Sequence, residues 1–234
     1  MIMMTLNIMG LANIPKKLVV RRLIDEHFLD VIFLQESMCD GSILVGELET
    51  MLKYFKFLSM DAKGKSRGLV LGWRTHKFHF LNAWAMCSGL CVSLYSIELK
   101  MDLVFVNLYG PYMDKELFWN NLFKLDGLMS SKLIFGGDLN FSLGYSEMWG
   151  VKARVDVLSD FFIRQLDRLG LVYIAPSVIL PTWSNQRVGS ENICKILDQL
   201  LISADLLVCD MGSSLVDQYP ITLVHIVGFK IIRN

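Results

Sequence analysis

The segment LIFGGDLNF, residues 133–141, constrains the fold of this chain more than any other stretch of its sequence. An apolar run ends in two glycines and is followed by a carboxylate, Asp138, and an amide, Asn140. Because side chains alternate along a strand, residues two apart share a face, and Asp138 and Asn140 are expected to point the same way. A buried strand that ends in two such polar groups indicates a site built at the rim of a sheet.

Short apolar strands recur along the whole chain, with only a few amphipathic helices between them. Helices are predicted over residues 15–28, which begin at a proline, over 114–128, and over 156–169, where Gly170 is the stop signal. Strands are predicted over 5–8, 31–37, 68–73, 91–97, 102–109, 132–138, 181–184, 195–203 and 219–227. This order predicts an α/β (α+β) sandwich of two mixed β-sheets flanked by helices, in a single domain over residues 1–234.

Polar residues end several of these strands, where an apolar core would not select them. They are Asn7, Glu36, Asn107 with Tyr109, Asp138 with Asn140, Asp198 and Asp217. If these strand ends meet at one rim of the sandwich, they form a pocket of carboxylate and amide oxygens that suits a hard cation such as Mg²⁺.

Each of these residues also has an ordinary structural explanation when it is taken alone. Asp138 could be a turn residue after the glycine pair, and Asn140 a left-handed or capping residue. Glu36 could cap a following helix, Tyr109 could open a turn, and Trp183 could belong to the core. Taken together, in their order along the chain, these residues favour a functional site.

Charge and composition exclude several classes of protein. The formal net charge is zero, with 23 basic and 23 acidic residues, so net charge alone would not hold a polyanion. Two local basic clusters exist, Lys16, Lys17, Arg21 and Arg22, and Lys63, Lys65 and Arg67, and each taken alone is expected to be a solvated face or loop. No apolar run approaches the roughly 18–20 residues of a membrane span, and no secretory signal is predicted. The five cysteines form no CxxC pair and are expected to be reduced, mostly buried thiols of an intracellular protein.

Seven segments, taken in order, resemble the endonuclease/exonuclease/phosphatase family: LNIMGL, FLQES, NLYGPY, FGGDLNF, PTWSN, ILDQLLIS and DQYPITL. They are most similar to the endonuclease domain of non-LTR (LINE-type) retrotransposons, and the resemblance covers essentially the whole chain. It implies the DNase I-like fold, a four-layer sandwich, and metal-dependent hydrolysis of phosphodiesters. The implied cofactor is Mg²⁺, with Mn²⁺ as a substitute, and the implied partner is DNA, bound weakly and with strong salt dependence.

The resemblance also implies a role for each residue that matches the family pattern. Glu36, supported by Asn7 and Asp217, would hold the metal. Asp138 would align and deprotonate the attacking water, and Asn140 would hold that aspartate or the phosphate. Tyr109 would contact the scissile phosphate, Thr182 and Trp183 would support substrate binding, and Asp198 would orient a histidine near the end of the domain.

The chain departs from the family pattern where that histidine is expected. Family members commonly read Ser-Asp-His before a proline, whereas this chain has Asp217-Gln218 before Tyr219-Pro220. A glutamine can donate a hydrogen bond but cannot carry a positive charge or relay a proton. Ile196 likewise stands where the family commonly has arginine.

Two classes of function therefore stay open. One is an endonuclease-like hydrolase of retroelement origin with impaired activity, located inside the cell and in the nucleus. The other is a non-catalytic remnant or domesticated domain that binds nucleic acid or protein without cleaving. Phosphatases, sphingomyelinases and deadenylases of the same fold rank lower, because GGDLNF, PTWSN and DQLLIS fit the retroelement branch better.

Overall fold

Two six-stranded sheets pack face to face in this protein. The structure, a computed structural model, describes residues 1–61, 68–86, 88–124, 132–175, 179–206, 211–216 and 224–229, the last two ranges as backbone. The first sheet contains, in spatial order, β14 (Met211–Val216), β15 (Val224–Phe229), β1 (Ile2–Asn7), β2 (Val31–Gln35), β4 (Leu69–Arg74) and β3 (Phe55–Met60). The second contains β10 (Leu171–Tyr173), β13 (Asp198–Ser203), β8 (Leu133–Asp138), β7 (Met101–Tyr109), β6 (Gly89–Ser96) and β5 (Phe78–Met86). The pairs β1–β2 and β7–β8 are parallel and the other neighbours are antiparallel, so both sheets are mixed.

Helices cover the outer face of each sheet and complete a four-layer sandwich. On the first sheet, α1 (Ile14–Glu26) and α2 (Gly41–Met51) pack against the outward side chains of β1 and β2. On the second, α3 (Lys115–Leu122) and α4 (Ser159–Leu169) form an aromatic-rich cluster with β7 and β8. The predicted fold class is therefore confirmed. No helix among the described residues is long and apolar enough to cross a membrane.

The side chains that point inward from each central strand form a row that is apolar along most of the strand and polar at one end. In β2 this row runs from Val31 through Phe33 to Gln35, and the apolar members pack between the sheets. In β8 it runs from Ile134 to Asp138. Because both faces of these strands are buried, their sequences are continuous apolar runs. The polar ends of the inward-facing rows meet at one rim of the sandwich.

The two glycines before Asp138 lie against the strands on either side of β8, Gly137 against β7 and Gly136 against β13. Gly137 has φ +141°, and a Cβ atom there would lie 1.9 Å from the carbonyl oxygen of Leu108. At Gly136 a Cβ would lie 2.7 Å from a methyl group of Leu200. Glycine is the residue that this backbone conformation and this close approach permit.

The predicted helices are present with shifted ends, and one helix was not predicted. The first occupies Ile14–Glu26, and the last begins at Ser159 and ends before Gly170, which has φ +60°. The helix predicted over 114–128 ends at Leu122, and residues 125–131 lie outside the described part of the chain. Helix α2 was missed, although Asp40 caps its N-terminus by accepting a hydrogen bond from the Ile43 amide at 3.0 Å.

Several predicted strands are shorter than expected. The strand predicted over 31–37 ends at Gln35, because Glu36 adopts a left-handed conformation with φ +55°. The 181–184 segment contributes two residues, β11 (Trp183–Ser184), to a small third sheet with β12 (Cys194–Lys195) and β9 (Met148–Trp149). The final strand begins at Val224, and residues 217–223 lie outside the described ranges. Among the described cysteines, Cys91 is buried, but Cys39 and Cys194 are partly exposed, contrary to the expectation of mostly buried thiols.

Candidate active site

Three carboxylates from two sheets meet at the polar rim of the sandwich. Glu36 follows the last residue of β2, Asp138 is the last residue of β8, and Asp198 is the first residue of β13. Their side chains are almost fully buried, with 4%, 4% and 2% of their surface exposed. Asp198 and Asp138 are direct partners in the β13–β8 ladder.

Asn7 joins these groups across the two sheets. Its side-chain amide donates hydrogen bonds to Glu36 Oε1 at 3.1 Å and to Asp138 Oδ2 at 2.9 Å. Its own amide oxygen accepts from the backbone N–H of Met9 at 3.3 Å, which fixes the orientation of the side chain. The backbone N–H of Asn7 is directed at the Asp198 carboxylate. One residue at the end of β1 therefore contacts all three acids.

Burial raises the pKa of two of these acids, Asp138 and Asp198. Desolvation raises the pKa of Asp138 to about 6, and the nearby Glu36 charge acts in the same direction. Hydrogen bonds from Asn7 and from the Asn140 backbone, together with the Lys115 charge, oppose this rise. Burial and the charges of Asp138 and Glu36 also raise the pKa of Asp198 well above its usual value. For both aspartates, burial and neighbouring negative charge therefore outweigh the groups that favour the charged form.

The position of Asn140 in the site does not follow from strand alternation. Strand β8 ends at Asp138, and Asn140 adopts a left-handed conformation with φ +54°. Its backbone N–H donates to Asp138 Oδ1 at 3.2 Å, while its side-chain amide donates to the Gly110 carbonyl at 2.7 Å. The prediction that both side chains share a strand face was therefore wrong, but the two residues do lie in contact.

Lys115, which sequence reasoning missed, lies behind this turn. Its ammonium donates to the Asn140 carbonyl at 2.6 Å and pairs with Asp156 at 2.7 Å. No short motif marks this lysine in the sequence, because its partners lie 25 and 41 residues away.

Tyr109 ends β7 beside Glu36. Its hydroxyl is hydrogen-bonded to the Glu36 carboxylate and lies 3.4 Å from the Tyr112 hydroxyl. Burial, followed by these two hydrogen bonds, raises the pKa of Tyr109, so the phenol stays protonated. It can therefore donate a hydrogen bond to an anionic oxygen.

Thr182 and Trp183 occupy different environments. The Thr182 hydroxyl accepts from the backbone N–H groups of Leu197 and Asp198 at 2.9 and 3.1 Å, and it also contacts the Asp198 carboxylate. Trp183 lies at the surface, with 37% of its side chain exposed. Asp217 and Gln218, the last two predicted site residues, lie outside the described part of the chain.

A fully buried polar ladder connects the sheets directly beneath the site. Asn107 donates to the carbonyls of Leu34 and Val70 at 3.1 and 2.9 Å, and its oxygen accepts from Gln35 at 2.6 Å. Gln35 in turn is hydrogen-bonded to Thr5. The sequence marked Asn107 as a polar strand residue, but Gln35 was missed because a strand-end glutamine carries no distinctive signal.

Comparison with models of protein families gives a match that agrees with this architecture. The model of the endonuclease/exonuclease/phosphatase family matches residues 4–218. The chain belongs to this family. Comparison with curated protein sequences gives no significant match.

Solved structures of the endonuclease/exonuclease/phosphatase fold superpose on nearly the whole chain. The endonuclease domain of TRAS1, a telomere-specific non-LTR retrotransposon, has 16% identity and a TM-score of 0.72, with 99% of each chain covered. The 3′ phosphatase NExo from Neisseria, bound to a product DNA hairpin, has 17% identity, 98% and 99% coverage and a TM-score of 0.72. An AP endonuclease from Archaeoglobus fulgidus has 14% identity, 99% and 100% coverage and a TM-score of 0.73. At these identities the likeness shows the shared fold.

Enzymes of the endonuclease/exonuclease/phosphatase family are generally dependent on a divalent metal, and the donor set here fits such an ion. Among the described residues, no three acidic, histidine or cysteine side chains are grouped closely enough to hold a metal alone. Mg²⁺, however, commonly takes one or two carboxylates and keeps several waters. Glu36 and Asp138 supply hard oxygen donors, and Asp198 Oδ1 is a buried oxygen without a hydrogen-bond partner in the described ranges. A cation would offset the charge of these acids.

Proposed function

We propose that this chain is a Mg²⁺-dependent phosphodiester hydrolase that acts on DNA, an endonuclease-like domain of retroelement origin whose rate is reduced by Gln218. The observation that carries the proposal is the pair of hydrogen bonds from Asn7 to Glu36 and Asp138. They hold two acids from different sheets at one buried point, a geometry that packing alone does not require. Family membership supports hydrolysis of phosphate esters as the general chemistry.

The metal would be held by Glu36 and Asp217 with support from Asn7, and Mn²⁺ would serve as a substitute. When bound, the ion would offset negative charge on the phosphate and on the leaving oxygen. The Tyr109 phenol, which stays protonated, would donate a hydrogen bond to a phosphate oxygen.

Asp138 would take a proton from the attacking water. A pKa of about 6 suits this role near neutral pH, since the group is then ionised but still basic. Asn140 would hold the Asp138 carboxylate in position through its backbone N–H. Asp198, oriented by Thr182, would direct residue 218, and Trp183 would line the path of the substrate.

A second candidate function is favoured by the sequence at position 218. Glutamine fills a volume similar to that of histidine, so folding and binding would survive the change while the charge and proton-relay functions would not. Ile196, where the family commonly has arginine, is buried and apolar. A non-catalytic remnant or domesticated domain, binding nucleic acid or protein without cleavage, would carry both changes without penalty.

A nicking assay on supercoiled plasmid with Mg²⁺ separates these two functions. Wild type should nick slowly, Asp138→Ala should give the blank, and Gln218→His should raise the rate by about 10²–10⁴-fold, the usual contribution of a general acid–base group. A wild-type rate that the reversion cannot improve would show that another group replaces the histidine. If the double variant Gln218→His with Ile196→Arg binds Mg²⁺ and DNA but never nicks, the non-catalytic function is correct.

DNA binding should be weak and should depend steeply on salt, because the chain has no net charge. Lys63, Lys65 and Arg67 are the proposed phosphate contacts, in a segment outside the described residues. Replacing all three with alanine should lower the slope of log affinity against log salt by about 1–3. Binding that persists at high salt would exclude this role. As a DNA-binding protein, the chain is also proposed to be located in the nucleus.

A further inference from the structure

Exposed apolar and aromatic side chains flank the candidate active site. Four side chains, here called the site rim, stand one to three residues beyond a site residue: Met9, Met38, Tyr112 and Trp183. Their exposed fractions are 58%, 46%, 58% and 37%. A polyanion site that relied on charge would be expected to present lysine or arginine at such positions.

The two methionines of the site rim are held in place by the backbone. Both have positive φ, +48° at Met9 and +51° at Met38, a region that residues other than glycine seldom adopt. The loops that carry them are joined by hydrogen bonds from Gly10 N to Glu36 O at 2.7 Å and from Leu11 N to Ser37 O at 2.8 Å. Their exposure is therefore a defined feature of the fold, and the strained backbone lies next to Glu36.

The two aromatic members of the site rim lie on opposite sides of Asp138. In the second sheet β8 lies between β7 and β13. Tyr112 follows β7 and contacts the Tyr109 ring, with ring centroids 6.3 Å apart. Trp183 is next to Thr182, which is hydrogen-bonded to the first residue of β13. A chain whose phosphate lay at Asp138 would pass one aromatic side chain on each side.

Within the described part of the chain, two lysines beside the site are already engaged with protein groups. Lys16 donates to the carbonyls of Ile8 and Met9 at 2.9 and 2.7 Å. Lys115 is paired with Asp156 and bonded to the Asn140 carbonyl. Neither ammonium group is positioned to neutralise the phosphates of the second strand of a duplex.

We propose that the site rim stacks on unpaired bases flanking the phosphodiester, so that the preferred ligand is single-stranded DNA and not the B-form duplex. The inference depends on the proposed function in one respect, that a DNA phosphodiester occupies the candidate active site. Stacking on aromatic side chains is independent of base sequence and supplies affinity that net charge does not provide here. The supercoiled plasmid of the nicking assay would be attacked at its transiently unpaired segments.

Binding without cleavage tests this inference separately from catalysis. Fluorescence anisotropy in EDTA would compare one labelled DNA strand, the same strand annealed to its complement, and the same strand with abasic nucleotides. The single strand should bind at least about tenfold more tightly than the other two. Tyr112→Ala should weaken single-strand binding by about 5- to 150-fold, from about 1–3 kcal/mol of stacking per base, and Trp183→Ala should act similarly. Tyr112→Phe, which keeps the ring, should bind as wild type does.

Phe28→Ala is the matched control, since this exposed aromatic residue precedes β2 at the end of the strand opposite to Glu36. It should leave all three affinities unchanged. Equal or tighter binding of the duplex, no loss on the abasic strand, or wild-type binding by both Tyr112→Ala and Trp183→Ala would overturn the inference. If the preference for the single strand is found but the double variant Gln218→His with Ile196→Arg never nicks DNA, the inference stands and the hydrolase proposal fails.

Discussion

Asp198 and Asp138 face each other on adjacent antiparallel strands, with both carboxyl groups buried. Like charges directly opposite in a ladder destabilise a sheet, and burial adds the cost of removing each carboxylate from water. Hydrogen bonds from Asn7 and Asn140 support Asp138, but within the described residues Asp198 Oδ1 has no partner. The protein keeps this arrangement at a cost in stability, which is typical of a functional site.

The first prediction concerns that cost. In EDTA at pH 8, Asp198→Asn should raise the free energy of unfolding, because it removes a buried negative charge that lies opposite Asp138. The folded-state pKa of Asp198 is raised, so its contribution to stability is full below the unfolded value of 3.8 and is lost as pH rises through the folded value. The gain should therefore vanish near pH 3.8 in urea titrations.

The exposed Asp102 of β7 provides the control for this prediction. Asp102→Asn should change stability little at either pH. A variant at Asp198 that unfolds more easily than wild type at pH 8 would show that a positive or donating group stabilises the carboxylate.

The second prediction concerns the metal. Wild type should bind Mg²⁺ with a Kd between about 10 µM and 1 mM, as expected of an open oxygen site with few protein ligands. Glu36→Ala should weaken binding by about tenfold or more in titration calorimetry or Mn²⁺ relaxation, whereas Glu116→Ala, at an exposed carboxylate of α3, should not. Equal affinity of wild type and Glu36→Ala would remove Glu36 as a metal ligand.

The third prediction concerns the polar ladder between the sheets. Asn107→Ala removes two donors and an acceptor from buried partners, so it should lower the free energy of unfolding by about 2–4 kcal/mol. Thr5→Val, at the end of the ladder, should cost about 1 kcal/mol, because Thr5 contacts only the side chain of Gln35 there. Equal losses for the two variants in urea unfolding would contradict a central role for Asn107.

The fourth prediction compares two glycines. Gly137→Ala should destabilise the fold by more than about 3 kcal/mol or abolish folding, because the added methyl would lie 1.9 Å from the Leu108 carbonyl. Gly46→Ala, in helix α2 with no atom within 4 Å of the added Cβ, should stabilise by about 0.5–1 kcal/mol. Thermal unfolding of both variants gives the comparison, and a mild effect at Gly137 would mean that β7 and β8 can separate.

The sequence alone was sufficient for the fold class, and it singled out three acids that the structure brings together. Strands with two buried faces read as apolar runs, and a polar residue at the end of such a run is conspicuous because burial without a partner is costly. Glu36, Asp138 and Asp198 could be selected on that basis before any contact was known. Helix α2 could also have been found from Asp40, its capping residue.

Only the tertiary structure decided how these residues meet. Asn7 and Asp138 are 131 positions apart, and their hydrogen bond depends on the packing of two sheets. The left-handed backbone at Glu36 and Asn140 breaks strand alternation, so the direction of each side chain could not be taken from its spacing. The raised pKa of Asp138 arises from burial and from charges brought together by folding. Local sequence sets which groups can form a site, while long-range packing sets their distances and protonation.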